Sequence, residues 1–272
     1  SGTLNLITGS FAGDSLTTGE RNTAYGHYAL SDEDGNGYNT AIGYGSLLSL
    51  NAGINAFNTA LGYNSGVNMT TGTYNTVLGA LAGDGLTTGG ENVAVGYEAL
   101  STEDAHGTNV AVGYRSLKLL DAGANAYNVA VGHAAGAAMS TGIRNTFVGG
   151  IAGDAITTGS NNTALGYAAL SAADGDENYN VAIGSGSLMN LDGSGDMWNT
   201  AVGTNSGLNI TTGSHNVLLG GRAGDALTAG SRNIAIGFDA LGAENDHTGN
   251  VAIGYQALKV QDAGTNAYNV AI

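Results

Sequence analysis

A chain of 272 residues that is 42% apolar and 11% charged, with 47 Gly and no Pro, is neither disordered nor collagen-like; disorder needs low hydrophobicity with blocks of charge, and collagen needs Pro and a strict three-residue Gly period. Seven basic against 22 acidic residues leave a net charge of −15, which repels a phosphate backbone and argues against nucleic acid as a partner. With no Cys, disulfides and thiolate chemistry are excluded, and no apolar run approaches the ~18 residues of a membrane span.

In chain order, the opening "SGTLNLITG" already carries a motif anchored on Asn5, which returns at Asn22, Asn39, Asn58, Asn75, Asn92, Asn109 and Asn128. It continues at Asn145, Asn162, Asn180, Asn199, Asn216, Asn233, Asn250 and Asn269, at spacings of 17 to 19 residues. Each anchor with room for it has Gly four residues on, as at Gly26, Gly43, Gly62, Gly79, Gly96, Gly113 and Gly132. Spacing this regular over residues 1–272 predicts one all-β solenoid array of about sixteen coils. Four kinds of coil rotate in fixed order, giving a 70-residue superrepeat that starts near 22, 92, 162 and 233. The closing "NVAI" stops inside the motif, which reads as a segment of a longer chain or one that meets a copy of itself.

Within a coil, "NVAVG" predicts a strand, with Val110 and Val112 on one face and Ala111 on the other, and Gly113 turning the chain. Segments such as "GLTTG", with Leu86, Thr87, Thr88 and Gly89, are expected to carry a second strand. Coils stacked ~4.8 Å apart set each residue against its own copy, so sixteen of them make about 75 Å. The recurring Asn is then expected to form an amide ladder, and the recurring Gly to supply a positive φ or a close backbone approach. In the fourth kind of coil the residue two after Asn grows from Ala to Ile7, Val77, Phe147 or Leu218. The residue after the anchor Gly shrinks there to Ser10, Ala80, Gly150 or Gly221, so bulk is expected to move between these two sites.

The runs "GNVAIGYQA" at Asn250 and "YNVAI" at Tyr268 resemble the head repeats of YadA-like trimeric autotransporter adhesins, and similar repeats occur in phage tail fibres. The resemblance covers the whole chain and implies a left-handed parallel β-roll, three copies of which associate side by side, on a cell surface or virion. The coils are longer than the adhesin head repeat, and nothing here resembles the stalk or membrane anchor of that family. The expected function is a structural and adhesive fibre segment giving spacing and multivalent display, with itself and a cell-surface glycan as partners. A subunit that polymerises head to tail into an extracellular filament is the alternative, and an ice-binding reading of the "TTG" pairs comes third.

"DEDGNG" at 32–37 places Asp32, Asp34 and Asn36 at alternate positions, like the start of a calcium loop, but Gly43 stands where the bidentate acid is needed. The run therefore reads first as a solvated acidic turn, and calcium is the one cofactor it suggests. Asp14, Asp84, Asp154 and Asp225 follow Ala-Gly in each fourth coil, as turn caps or as a row displayed about every 19 Å. His27, His106, His133, His215 and His247 show no metal-ligand spacing and are expected on the surface. Aromatics before the anchors, such as Tyr38, Phe57, Tyr74, Tyr127, Tyr179, Trp198 and Tyr268, are expected to pack coil corners. No nucleophile, base and acid stand out together, so no enzyme activity is expected.

Overall fold

The computed structural model describes residues 2–35, 37–173, 175–243, 245–260 and 268–272. It divides into two compact units, Ser1–Ala134 and Ala135–Ile272, each a parallel β-solenoid, and the described residues contain no helix. The first unit holds β1 (Leu6–Thr8) to β8 (Val129–Val131), and the second holds β9 (Thr146–Val148) to β16 (Val270–Ala271). Within each unit every strand pairs in parallel with its successor, copy against copy: Val110, Ala111 and Val112 face Val129, Ala130 and Val131.

The Asn and Gly that bracket each strand set its length. The amide after each anchor donates to the next anchor's carbonyl (Val110 N to Asn128 O, 2.8 Å), and the Gly amide donates to the previous coil (Gly113 N to Val95 O, 2.7 Å). Gly113 needs both properties expected of it. Its φ is +139°, and an added Cβ would lie 2.1 Å from the Gly132 carbonyl oxygen.

The Asn ladder is present but runs chiefly from backbone to side chain. The Asn92 amide donates to Asn75 Oδ1 (3.0 Å), while Asn75 Nδ2 donates to the Gly89 carbonyl (2.9 Å). The same amide-to-Oδ1 bond joins Asn22 to Asn39, Asn39 to Asn58, and Asn109 to Asn128. The side chain thus fills a bonding slot that the short strand leaves open, and the anchors from Asn22 to Asn250 are buried. Asn75→Ala strands one buried amide and one buried carbonyl, and should cost about 3 kcal/mol in chemical denaturation. A variant at wild-type stability would contradict the ladder.

The expected second strand does not form. At Thr87, Thr88 and Gly89 three successive amides converge on one carbonyl, that of Asp104 (2.6, 3.1 and 3.4 Å), where a strand would spread them over alternate partners. The first Thr hydroxyl of such pairs donates to the next coil, as Thr87 Oγ1 does to Asp104 O (2.8 Å). That hydroxyl's one donor is therefore engaged within the fold, at the surface.

The core lies inside the coil and inverts the usual size rule. Ala111 points inward with no exposure, while Val110 and Val112 face out, half-exposed. The opposite wall supplies the bulk, through Leu117 and Leu120. In the fourth kind of coil the bulky inward residue meets a glycine six residues on. A Cβ at Gly83, Gly153 or Gly224 would fall 2.8 Å from Val77, Phe147 or Leu218. The compensation therefore sits inside the coil, whereas Ser10, Ala80, Gly150 and Gly221 lie on the outside, partly or fully exposed.

Corners are made by left-handed backbone at three recurring positions that are not reserved for glycine. They are the residue before Asn, as at Thr108 (φ 65°), and those six and eight after it, as at Arg115 (φ 55°) and Leu117 (φ 47°). Each such residue costs about 1–2 kcal/mol alone. Hydrogen bonds to the adjacent coil hold them, Thr108 N to Gly90 O at 3.1 Å and Arg115 N to Tyr97 O at 2.9 Å.

Candidate functional site

Repetition places like side chains above one another on the outer surface. Five residues after the anchors, Tyr44 stacks on His27 (5.3 Å between centroids) and on Tyr63 (5.5 Å). Tyr114 likewise stacks on Tyr97 (5.6 Å) and His133 (5.1 Å), and the column is interrupted at Ala80. A second column joins Tyr38, Phe57 and Tyr74 (4.8 and 5.5 Å), and in the other unit Tyr179 stacks on Trp198 (4.1 Å). The aromatics before the anchors do occupy corners, but Tyr38, Phe57, Tyr74, Tyr179 and Trp198 pack against one another outside the core, and Tyr74 remains 57% exposed.

The outward face of the strands forms an aliphatic strip. In the first unit Ile42, Leu61, Leu78, Val95, Val112 and Val131 line up at one position of successive strands, half-exposed or exposed. In the second unit Val148, Leu165, Ile183, Val202, Leu219, Ile236 and Ile253 do the same. Contiguous apolar surface of this kind marks an interaction face in soluble proteins.

Charges form shorter columns. Glu98 accepts from Arg115 Nε (2.8 Å) and Lys118 Nζ (2.7 Å). In the last superrepeat Asp239, the counterpart of Glu98, meets Lys259 of the next coil (2.8 Å) and Arg222 of the preceding one (3.2 Å). The Asp row is less displayed than its recurrence suggests. Asp14 is exposed, but Asp84, Asp154 and Asp225 are half-buried, each with Oδ1 turned inward and without a hydrogen-bond partner.

Asp32 and Asp34 are exposed on their loop, and Asn36 lies outside the described residues. Glu33, between them, is the residue that points inward, with no exposure. Glu103 and Glu177 are equally buried. Comparing coils position by position would have found the first two. Eleven residues after the anchors the chain carries Leu16, Glu33, Leu50, Met69, Leu86, Glu103 and Leu120, so each Glu stands in a column of apolar residues. The expectation of surface histidines is corrected at three sites: His247 is buried at 8% exposure, His27 is half-buried with Nδ1 turned inward, and His106 is half-buried with Nδ1 3.6 Å from Glu103 Oε1. Spacing along the chain missed His106 because its further partner, Asp121, comes from the next coil.

Burial raises the carboxyls of Asp84, Asp154 and Glu103 above their ordinary values. Hydrogen bonds from Lys118 and Lys259 lead in lowering those of Glu98 and Asp239. A raised acid binds its proton more tightly when folded, so it weakens the fold above the raised value and the penalty lifts as pH falls through it. A lowered acid contributes stability above its ordinary value and loses it as pH falls through the lowered one. The melting temperature should therefore rise as pH falls from 7 toward the ordinary carboxylate range, then drop below about 4. A steady fall from pH 7 in scanning calorimetry would contradict this balance.

An open depression of about 400 Å³ on the second unit is lined by Asp192, Gly193, Ser194, Asp196, Met197, Thr212 and Ser214, a polar rather than an enclosed apolar setting. No known protein-family model matches the chain, and no curated protein matches it significantly.

Proposed function

We propose that this chain is a structural and adhesive fibre segment, of the kind found in surface adhesins and phage tail fibres, acting outside the cell or on a virion without catalysis. The carrying observation is the outer surface, where aromatic columns such as Tyr97, Tyr114 and His133 repeat at the pitch of the coils on a scaffold bonded coil to coil. Such a surface favours a repetitive partner, such as a cell-surface glycan, because weak contacts at fixed spacing add through effective concentration and need no deep pocket. The aliphatic strip supports lateral association with further copies of the chain, a trimer by resemblance to the adhesin heads.

The test is binding of the purified chain to immobilised glycans and whole cells, beside a Tyr97→Ala/Tyr114→Ala variant. The full chain should be retained, and the variant should bind at least tenfold more weakly at unchanged fold, since each lost stacking face is worth about 1 kcal/mol. Failure of the wild-type chain to bind any glycan or cell surface would reduce it to a passive spacer and overturn the adhesive reading.

A further inference from the structure

Eleven residues after most anchors, the inward column is filled by Leu, Met or Ile, and Glu103 breaks it between the corresponding residues Leu86 and Leu120. A carboxylate taken out of water needs compensation in proportion to its burial. Glu103 has no exposure and receives only part of that compensation from the protein. Its Oε1 accepts from the His106 amide (3.2 Å), the Ala122 amide also faces the group, and Oε2 is buried without a hydrogen-bond partner. The His106 imidazole bears on the same place, with Nδ1 3.6 Å from Oε1 and likewise lacking a hydrogen bond. Two exposed carboxylates complete the group: Asp104 and Asp121, each twelve residues after its anchor in successive coils. One ligand atom from each of Glu103, Asp104, His106 and Asp121 lies within 4.8 Å of the others.

We propose that Glu103, Asp104, His106 and Asp121 bind one divalent transition-metal ion of the Zn²⁺ type, which neutralises the buried carboxylate and ties two coils together. One imidazole with carboxylates is a borderline donor set that suits Zn²⁺ better than an all-oxygen cation such as Ca²⁺, and four protein ligands suit a closed, structural site. Two of the four sit on positions fixed by the fold. The Asp104 carbonyl is pinned by three amides from the preceding coil, and the buried Glu103 cannot swing out. The exposed Asp104 and Asp121 side chains are free to close the final distance onto an ion. The first superrepeat provides an internal contrast. There Glu33 and Asp34 correspond to Glu103 and Asp104, but Asn36 and Asn51 stand where His106 and Asp121 do, so the sequence retains only two of the four ligands.

The test is calorimetric titration of the full, chelator-treated chain with ZnCl₂ and, separately, CaCl₂. Saturable binding of one Zn²⁺ per chain is expected, with a raised melting temperature and weaker binding of Ca²⁺. His106→Asn and Asp121→Asn borrow the residues of the first superrepeat and should each weaken Zn²⁺ binding at least tenfold. Glu103→Leu, which copies Leu86 and Leu120, should remain folded by circular dichroism and lose the site. The proposal is overturned if wild-type chain takes up no Zn²⁺ in a one-to-one step, if the Asn variants titrate like wild type, or if Ca²⁺ binds as tightly as Zn²⁺.

Discussion

Gly113→Val is expected to lower stability by about 2–6 kcal/mol, enough to unfold much of a marginally stable repeat unit. Two costs combine there. A backbone at φ +139° is open almost solely to glycine, worth about 1–3 kcal/mol of strain, and a Cβ placed 2.1 Å from the Gly132 carbonyl oxygen must push two coils apart for about 1–3 kcal/mol more. Gly123 is milder on both counts. Its φ of +67° lies near the left-handed values that other residues of this chain adopt, and nothing lies within 4 Å of an added Cβ, so Gly123→Ala should cost only about 1 kcal/mol. Equal losses for both variants in urea melts would show that neither the backbone strain nor the coil contact at Gly113 selects glycine there.

Phe147→Ala should cost about 3–5 kcal/mol, the range for emptying a fully buried aromatic site. Gly153→Leu should also destabilise, because even its Cβ would sit 2.8 Å from the Phe147 ring. The double variant should recover a large part of both losses. It recreates the pairing of the following coil, where Ala164 faces inward and Leu170 holds φ 55° six residues later. The coupling energy should exceed about 1 kcal/mol, as expected for residues sharing one space. Additive losses would mean that Phe147 and Gly153 do not exchange volume inside the coil.

What repetition could reveal was the set of residues whose stacking demands identity. Asn75 and Asn92 must match because one supplies the acceptor that the other's amide needs, and Gly113 must be glycine because the Gly132 carbonyl oxygen leaves no room for its Cβ. The corners were hidden for the opposite reason. Their left-handed backbone is held by hydrogen bonds to neighbouring coils, so residues as different as Glu98 and Trp198 occupy the corners before the anchor and six after it, and only the corner eight after it, always Gly or Leu, leaves a compositional trace. The direction of the core was hidden by size, since Ala111 faces inward only because Leu117 and Leu120 fill the coil from the other side. In the acidic loop, alternation drew the eye to Asp32 and Asp34, whereas the residue of physical interest was Glu33, visible only against its counterparts in other coils.

The proposed lateral association joins the fold to the proposed function, since it would cover the exposed or half-exposed aliphatic strip through Leu61, Leu78 and Val95. Light scattering on the purified chain at micromolar concentration tests this most directly. The account predicts a single species of three chains, three times the 26.9 kDa of one; a strictly monomeric particle would contradict it, and polymers of distributed length would place the association at the ends of the chain instead.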